Sequence, residues 1–236
     1  MSYVYTPLFT DTFHRADETP LNPATWINNV SGYDPLSVVS NLCVDETFVF
    51  GGWEFAAVVL PNDQYAEITI NSLVTAGSNL QLYLRSAVSP LNSYYYYLDL
   101  ASTGVLNLYE STNSGFTTNL LGTATVVIVP GAVLHLEAVG TNIVGKYNGT
   151  TVISVVDSSI PGGYSGIFLD PFSSVSDVSI SKFVTGSVTQ GGGGGGGGGS
   201  SAEQEFGTTL DTFASATIRS HATGVMGSNI GTRMTR

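Results

Sequence analysis

Between residues 53 and 183 apolar and polar residues alternate in short runs. That is the period of strands whose two faces meet different surroundings. Residues 65–70 point Ala66, Ile68 and Ile70 to one side. Residues 80–85 point Leu80, Leu82 and Leu84 one way and Gln81, Tyr83 and Arg85 the other, and residues 94–100 and 105–110 repeat the pattern. The apolar runs 125–129 and 133–139 predict strands covered on both faces. Residues 143–147 and 151–155 are joined by Asn148-Gly149, a pair that tolerates positive φ at both central positions of a hairpin turn. Strands at 164–169 and 175–183 close the series, and 38–44 reads as a further strand. Turn residues such as Pro61-Asn62-Asp63, Ser102-Thr103-Gly104 and Pro161-Gly162-Gly163 fall between the runs. About a dozen short strands in one core predict two stacked antiparallel sheets.

The pattern stops at nine consecutive glycines, Gly191 to Gly199. A packed domain has no use for such a run, so it marks a boundary. The division is a β domain over residues 1–188, a poly-Gly linker over 189–200 and a C-terminal tail over 201–236. The tail is too short to fold alone. Ser201 followed by acidic residues resembles a helix start, and Phe206, Leu210, Phe213 and Ile218 are its apolar anchor candidates. The tail is expected to order on a partner and to attach the domain to an assembly.

Composition sharpens this picture. Of 236 residues only 11% are charged, and the chain is rich in strand and turn formers. The formal net charge is −11. In the tail Arg219, Arg233 and Arg236 balance Glu203, Glu205 and Asp211. The domain therefore carries the whole excess, with Arg15, Arg85, Lys146 and Lys182 as its cations. Such a surface repels phosphate backbones and anionic lipid, which argues against nucleic-acid and membrane partners. Cys43, the single cysteine, excludes an intrachain disulfide and reads as a small buried hydrophobe. The opening residues lack the signature of a signal peptide. A chain made in the cytoplasm and working on a virion surface or outside the cell would leave by another route.

The opening Phe9-Thr10-Asp11-Thr12-Phe13-His14-Arg15, followed by Leu21 and Trp26, resembles the start of concanavalin A-like (laminin-G/glucanase-type) jelly-roll domains. Residues 131–140, Lys146-Tyr147-Asn148-Gly149, Val156-Asp157-Ser158, residues 163–167 and Val178-Ser179-Ile180 continue the likeness over residues 9–183. It implies an all-β antiparallel two-sheet jelly-roll sandwich, with Phe13 and Trp26 in the core. Asp11 and Asp177, on the first and last strands, become the candidates for a structural Ca²⁺ of the kind related carbohydrate-binding modules hold. No other cofactor is implied. The fold hosts lectins, glycosidases and virion proteins alike.

Catalytic signatures are sparse. The Glu-x-Asp-x-x-Glu of the glucan-cleaving members is missing, and Glu54, Glu67, Asp99, Glu110 and Glu137 stand singly on separate strands. His135 alternates with Leu134 and Leu136 and is expected to face solvent. The polar side of the central strands is more suggestive: Tyr83, Arg85, Tyr95, Tyr97, Asp99, Asn107 and Tyr109, joined by Tyr65 and Glu67. Tyrosines among amide, acid and guanidinium groups form a platform suited to a cell-surface glycan, or to a second copy in a homo-oligomer. The expectation is a non-enzymatic structural or adhesion protein displaying a lectin-like head on a Gly tether. A bacteriophage virion component (capsid decoration, head fibre or tail adhesin) fits it. The alternatives are a carbohydrate-binding module or lectin and, third, a glycosidase with an unrecognised site.

Overall fold

A computed structural model describes residues 2–27, 33–47, 51–87, 94–112 and 117–191. The Gly run after Gly191 and the tail, with Phe206, Leu210, Phe213 and Ile218, lie outside the described residues. These form fifteen strands and no helix: β1 (Tyr3–Asp11), β2 (Trp26–Ile27), β3 (Leu36–Val39), β4 (Leu42–Asp45), β5 (Gly52–Ala56), β6 (Gln64–Leu73), β7 (Asn79–Ser86), β8 (Tyr95–Ala101), β9 (Val105–Thr112), β10 (Thr117–Thr125), β11 (Val133–Val139), β12 (Asn142–Tyr147), β13 (Thr150–Val156), β14 (Tyr164–Asp170) and β15 (Val178–Gln190). Two antiparallel sheets result, as the alternation predicts. The eight-stranded sheet runs β13-β12-β11-β6-β15-β4-β3, with β1 paired to β15; the seven-stranded sheet runs β10-β9-β8-β7-β14-β5-β2.

The apolar parity of each strand meets between the sheets. Ala66, Ile68 and Ile70 of β6, Leu134 and Leu136 of β11, and Leu80, Leu82, Leu84, Leu98, Leu100, Leu106 and Leu108 of β7–β9 join one buried cluster. At one end Trp26 packs on Phe9, Phe13 and Phe183 with ring centroids 5.1–6.1 Å apart, and its Nε1 donates to Asp11 Oδ2 at 2.9 Å. Cys43 is fully buried here, as expected. The β12–β13 hairpin turns through Asn148 (φ 49°) and Gly149 (φ 76°), the double positive φ that this pair was expected to supply.

Three local expectations differ. Residues 38–44 are not one strand: they belong to β3 and β4, a hairpin that turns through Ser40 (φ 53°) and Asn41 (φ 64°). Residues 126–129 are not a strand: β10 ends at Thr125, and Val127 and Val129 are exposed while Val126 and Ile128 pack on the core. An apolar run without ladder partners can line a core edge in extended form. The final strand also continues beyond residue 183 to Gln190, because β1 pairs with it from Asp11↔Phe183 to Tyr3↔Gln190.

Candidate functional site on the seven-stranded sheet

The polar parity of β7, β8 and β9 faces away from the core, where aromatic rings from four strands line up. Trp53 of β5 stacks on Tyr83 of β7 (4.9 Å between centroids, 26° between planes), Tyr83 on Tyr97 of β8 (5.4 Å, 19°) and Tyr97 on Tyr109 of β9 (5.1 Å, 21°). The Tyr83–Tyr97–Tyr109 spacing follows from the strand separation of about 4.8 Å, whereas Trp53 reaches Tyr83 across β14, which lies between β5 and β7. Tyr95, Phe55 and Phe168 meet the row edge-on or tilted, and Tyr33 caps Trp53. Gly166 of β14 lies between Phe55 and Tyr83 in the ladders, and a Cβ there would sit 2.5 Å from the Glu54 carbonyl oxygen and 2.5 Å from the Phe55 ring. Trp53 and Tyr83 are buried, whereas Tyr97 and Tyr109 are half-buried, so the open end of the row is on β8 and β9.

Beside the rings runs a polar row. Gln81 donates to Asp99 Oδ1 at 3.2 Å and accepts from the Tyr83 hydroxyl. Asn107 pairs with Asp99 across β8 and β9, and Asn79 donates to Asp170 Oδ2 at 3.3 Å. Burial raises both Asp99 and Asp170 above the usual carboxylate range. Hydrogen bonds from Gln81 and Asn79 oppose this, and nearby charges (Asp170 on Asp99, Asp45 on Asp170) add to it. Two carboxyls that keep their protons into milder pH thus share a face with an aromatic row.

The structure assembles Tyr83, Tyr95, Tyr97, Asp99, Asn107 and Tyr109 as the parity of the strands implies. It corrects three placements. Arg85 has φ 52°, which breaks the alternation. Its buried guanidinium donates to the carbonyls of Asn62, Ile160 and Gly140 at 2.8–3.1 Å and does not join the rings. Tyr65 and Glu67 lie on β6, hence on the other sheet. The Ca²⁺ candidates do not converge. Asp11 accepts from Phe13 N, Arg15 and Trp26, while Asp177 accepts from Thr75, Ser173 and Ser174. Asp11 pairs with Phe183, six residues along the chain from Asp177.

Trp53, Phe168, Gln81 and Asp170 were missed, although Trp53-Glu54-Phe55 already carried the signal: Trp53 and Phe55 share one parity and Glu54 takes the other. Glu54 is therefore fully buried on the core side. Its Oε1 accepts from Leu36 N at 3.2 Å, Oε2 has no hydrogen-bond partner, and burial pushes its pKa up to about 8.

A second constellation occupies the outer face of the eight-stranded sheet, where β6 pairs with β11 and sets His135 opposite Glu67. His135 Nε2 lies 3.1 Å from Glu137 Oε2, and Nδ1 lies 3.3 Å from Glu67 Oε2. Glu137 Oε2 also accepts from Lys146 Nζ at 2.8 Å and from the Tyr5 hydroxyl at 2.5 Å. The three donors hold Glu137 down to about 2 against its burial; the two carboxylates raise His135, again against burial. Two of the five acids expected to stand singly, Glu67 and Glu137, thus meet at His135. His135 is on the outward parity but buried, because Tyr65 stacks on it and Tyr5 packs edge-on.

No known protein family and no curated protein sequence matches this chain. Solved structures do. Porphyranase B from Zobellia galactanivorans superposes with a TM-score of 0.58 at 8% identity, covering 80% of this chain and 94% of its own. The endo-β-1,3(4)-glucanase SCLam gives 0.56 at 10%, covering 80% and 93%. The Emp46p carbohydrate recognition domain gives 0.51 at 10%, covering 69% and 88%. The chain is a concanavalin A-like jelly roll, as its motifs imply. At these identities the likeness shows the fold alone. One expectation is corrected. Most of the similar structures are glycoside hydrolases, so the judgement that the chain is not an enzyme does not stand. The missing Glu-x-Asp-x-x-Glu excluded only one arrangement of acids, and folding pairs acids that are far apart in sequence.

Proposed function

We propose that this protein binds carbohydrate chains on the outer face of the seven-stranded sheet, along the row that opens at Tyr97 and Tyr109. The observation that carries the reading is the continuous stack Trp53–Tyr83–Tyr97–Tyr109 beside Gln81, Asp99 and Asn107. Ring surface receives the C–H faces of sugars, and the carboxyl and amide groups bond their hydroxyls. The buried part of the row makes the site rigid, which lowers the ordering cost of binding. The test is a glycan array followed by calorimetry on the full chain. Tyr97→Ala is expected to weaken the best ligand at least tenfold, about 1.4 kcal/mol, with an unchanged far-ultraviolet spectrum. A parent that binds no glycan, or a Tyr97→Ala variant that binds as the parent does, refutes the reading.

A second reading, hydrolysis of a bound glycan, is favoured by one observation. Asp99 and Asp170 sit on β8 and β14 with only β7 between them, both raised by burial. Two strand spacings and the two-residue offset between Asp170 and Phe168, the β14 residue in line with Asp99, give a backbone separation of about 12 Å, compatible with an acid and a base whose side chains reach inward to flank a glycosidic bond with a water between. Hydrolysis of a polysaccharide panel that vanishes in both Asp99→Asn and Asp170→Asn supports it; activity surviving either change refutes it. On either reading, the role proposed for the tail, which is too short to fold alone, is attachment to a larger assembly, a virion surface being one instance.

A further inference from the structure

The eight-stranded sheet carries a cleft of about 420 Å³ lined by Tyr5, Glu67, His135, Lys146, Lys182 and Val184, among others. The chain has two lysines, Lys146 and Lys182, and both line this one cleft in a protein of net charge −11. The other described cations are committed elsewhere: Arg15 is paired with Asp11 and Glu18, and Arg85 is spent on backbone carbonyls. Lys146 is held by Glu137 and by the Tyr5 hydroxyl, at 2.8 and 2.7 Å, with its ammonium 5.1 Å from the Tyr5 ring centre. The Lys182 side chain is half-buried, and its ammonium makes no ion pair or hydrogen bond among the described residues, though its charge acts on Glu67.

The local charge decides what fits. Glu67 and Glu137 contribute two negative charges. Lys146 and Lys182 contribute two positive ones, and His135, bracketed by both carboxylates, adds a third when it is protonated. The cleft gathers both lysines in an otherwise anionic surface. The acidic surroundings repel a polyanion, so the cleft suits a single anionic group. Its walls also contribute Tyr5, Val133, Val184 and Pro7, the apolar surface on which a sugar ring rests.

We propose that this cleft is a second ligand site, one that takes a sugar residue bearing one carboxylate or sulfate. Lys182 supplies the free counter-charge, and Lys146 is positioned by Glu137. The site is on the opposite sheet from the aromatic row and stands whether or not that row binds glycan.

Because the chain has two lysines, selective ¹⁵N-lysine labelling of the full chain yields two amide signals, at Lys146 and Lys182. They are followed while titrating a glucuronate-containing disaccharide, a neutral disaccharide and inorganic sulfate. Both signals are expected to move with the glucuronate compound, at concentrations at least fivefold lower than with sulfate, and to stay in place with the neutral sugar. Lys182→Gln is expected to weaken glucuronate binding at least fivefold and Lys182→Arg to retain it. Tyr97→Ala is expected to leave it unchanged. Equal response to the neutral sugar overturns the anionic requirement. Equal potency of sulfate overturns the sugar, and unchanged binding by Lys182→Gln overturns the site.

Discussion

Glu54 makes a prediction whose size follows from its surroundings. Its carboxyl is enclosed between the sheets, with one oxygen accepting from Leu36 N and the other without a partner. Burial raises its pKa from 4.5 to about 8, with the negative charge of Glu18 adding to the shift and the Leu36 amide opposing it. The folded protein therefore holds this proton over a range where the unfolded chain has released it. Between pH 4.5 and about 8 the folded state binds more protons, so stability falls as pH rises. At about 1.4 kcal/mol per pH unit the window costs on the order of 5 kcal/mol. The loss is absent below 4.5 and complete above 8. Glu54→Gln keeps the oxygen that accepts from Leu36 and cannot ionise. Urea titrations of parent and variant, followed by the fluorescence of Trp26 and Trp53 at fixed ionic strength from pH 5 to 9, measure the difference. The two proteins should agree to within about 1 kcal/mol at pH 5. The variant should be more stable by several kcal/mol at pH 9. A stability difference that does not change between pH 5 and pH 9 refutes the argument.

Other perturbations act on separate parts of the molecule. Gly166→Ala places a Cβ 2.5 Å from a backbone oxygen that cannot rotate away, so a loss of about 3 kcal/mol is expected; an unchanged melting temperature would show that the strands part easily there. Trp26→Phe removes the buried bond to Asp11 and should cost about 1–3 kcal/mol by the same urea titration. Glu137 has a folded pKa of about 2 against 4.5 unfolded, so it stabilises above 4.5 and the benefit disappears as pH falls through 2. Glu137→Gln should flatten the acid limb of the stability profile, and a steep limb in the variant contradicts this. His135 is raised from 6.5: its stabilisation is complete below 6.5 and is lost as pH rises through the folded value. Its ring proton signals in NMR should titrate above pH 6.5, and a lower midpoint counts against the bracket of carboxylates.

The alternation of β6–β9 and β11–β13 determined those strands and which side chains share a face, because a strand's side-chain period is local; β10 was not read from it, and the apolar run 126–129 is not a strand. The Asn148-Gly149 turn and the inward leucines of β7–β9 were legible from local sequence too, while the core places of Phe13 and Trp26 came with the jelly-roll resemblance and that of Cys43 from its residue type. Sheet membership was not legible there. Tyr65 and Glu67 have the same outward parity as Tyr83 and Tyr97, yet β6 pairs with β11 and β15 and puts them on the opposite side of the sandwich. Residue pairs distant in sequence meet through the sheet order that such ladders set. Glu67 reaches His135 through the β6–β11 register, and Asp99 shares a face with Asp170 because β7 pairs with both β8 and β14. Arg85 left its expected face through a single positive φ, a backbone choice that closes its guanidinium onto loop carbonyls from distant segments. Local sequence thus set the period and the turns. The chemistry of both faces was decided by long-range strand pairing, since cross-strand neighbours are set by register and not by distance along the chain.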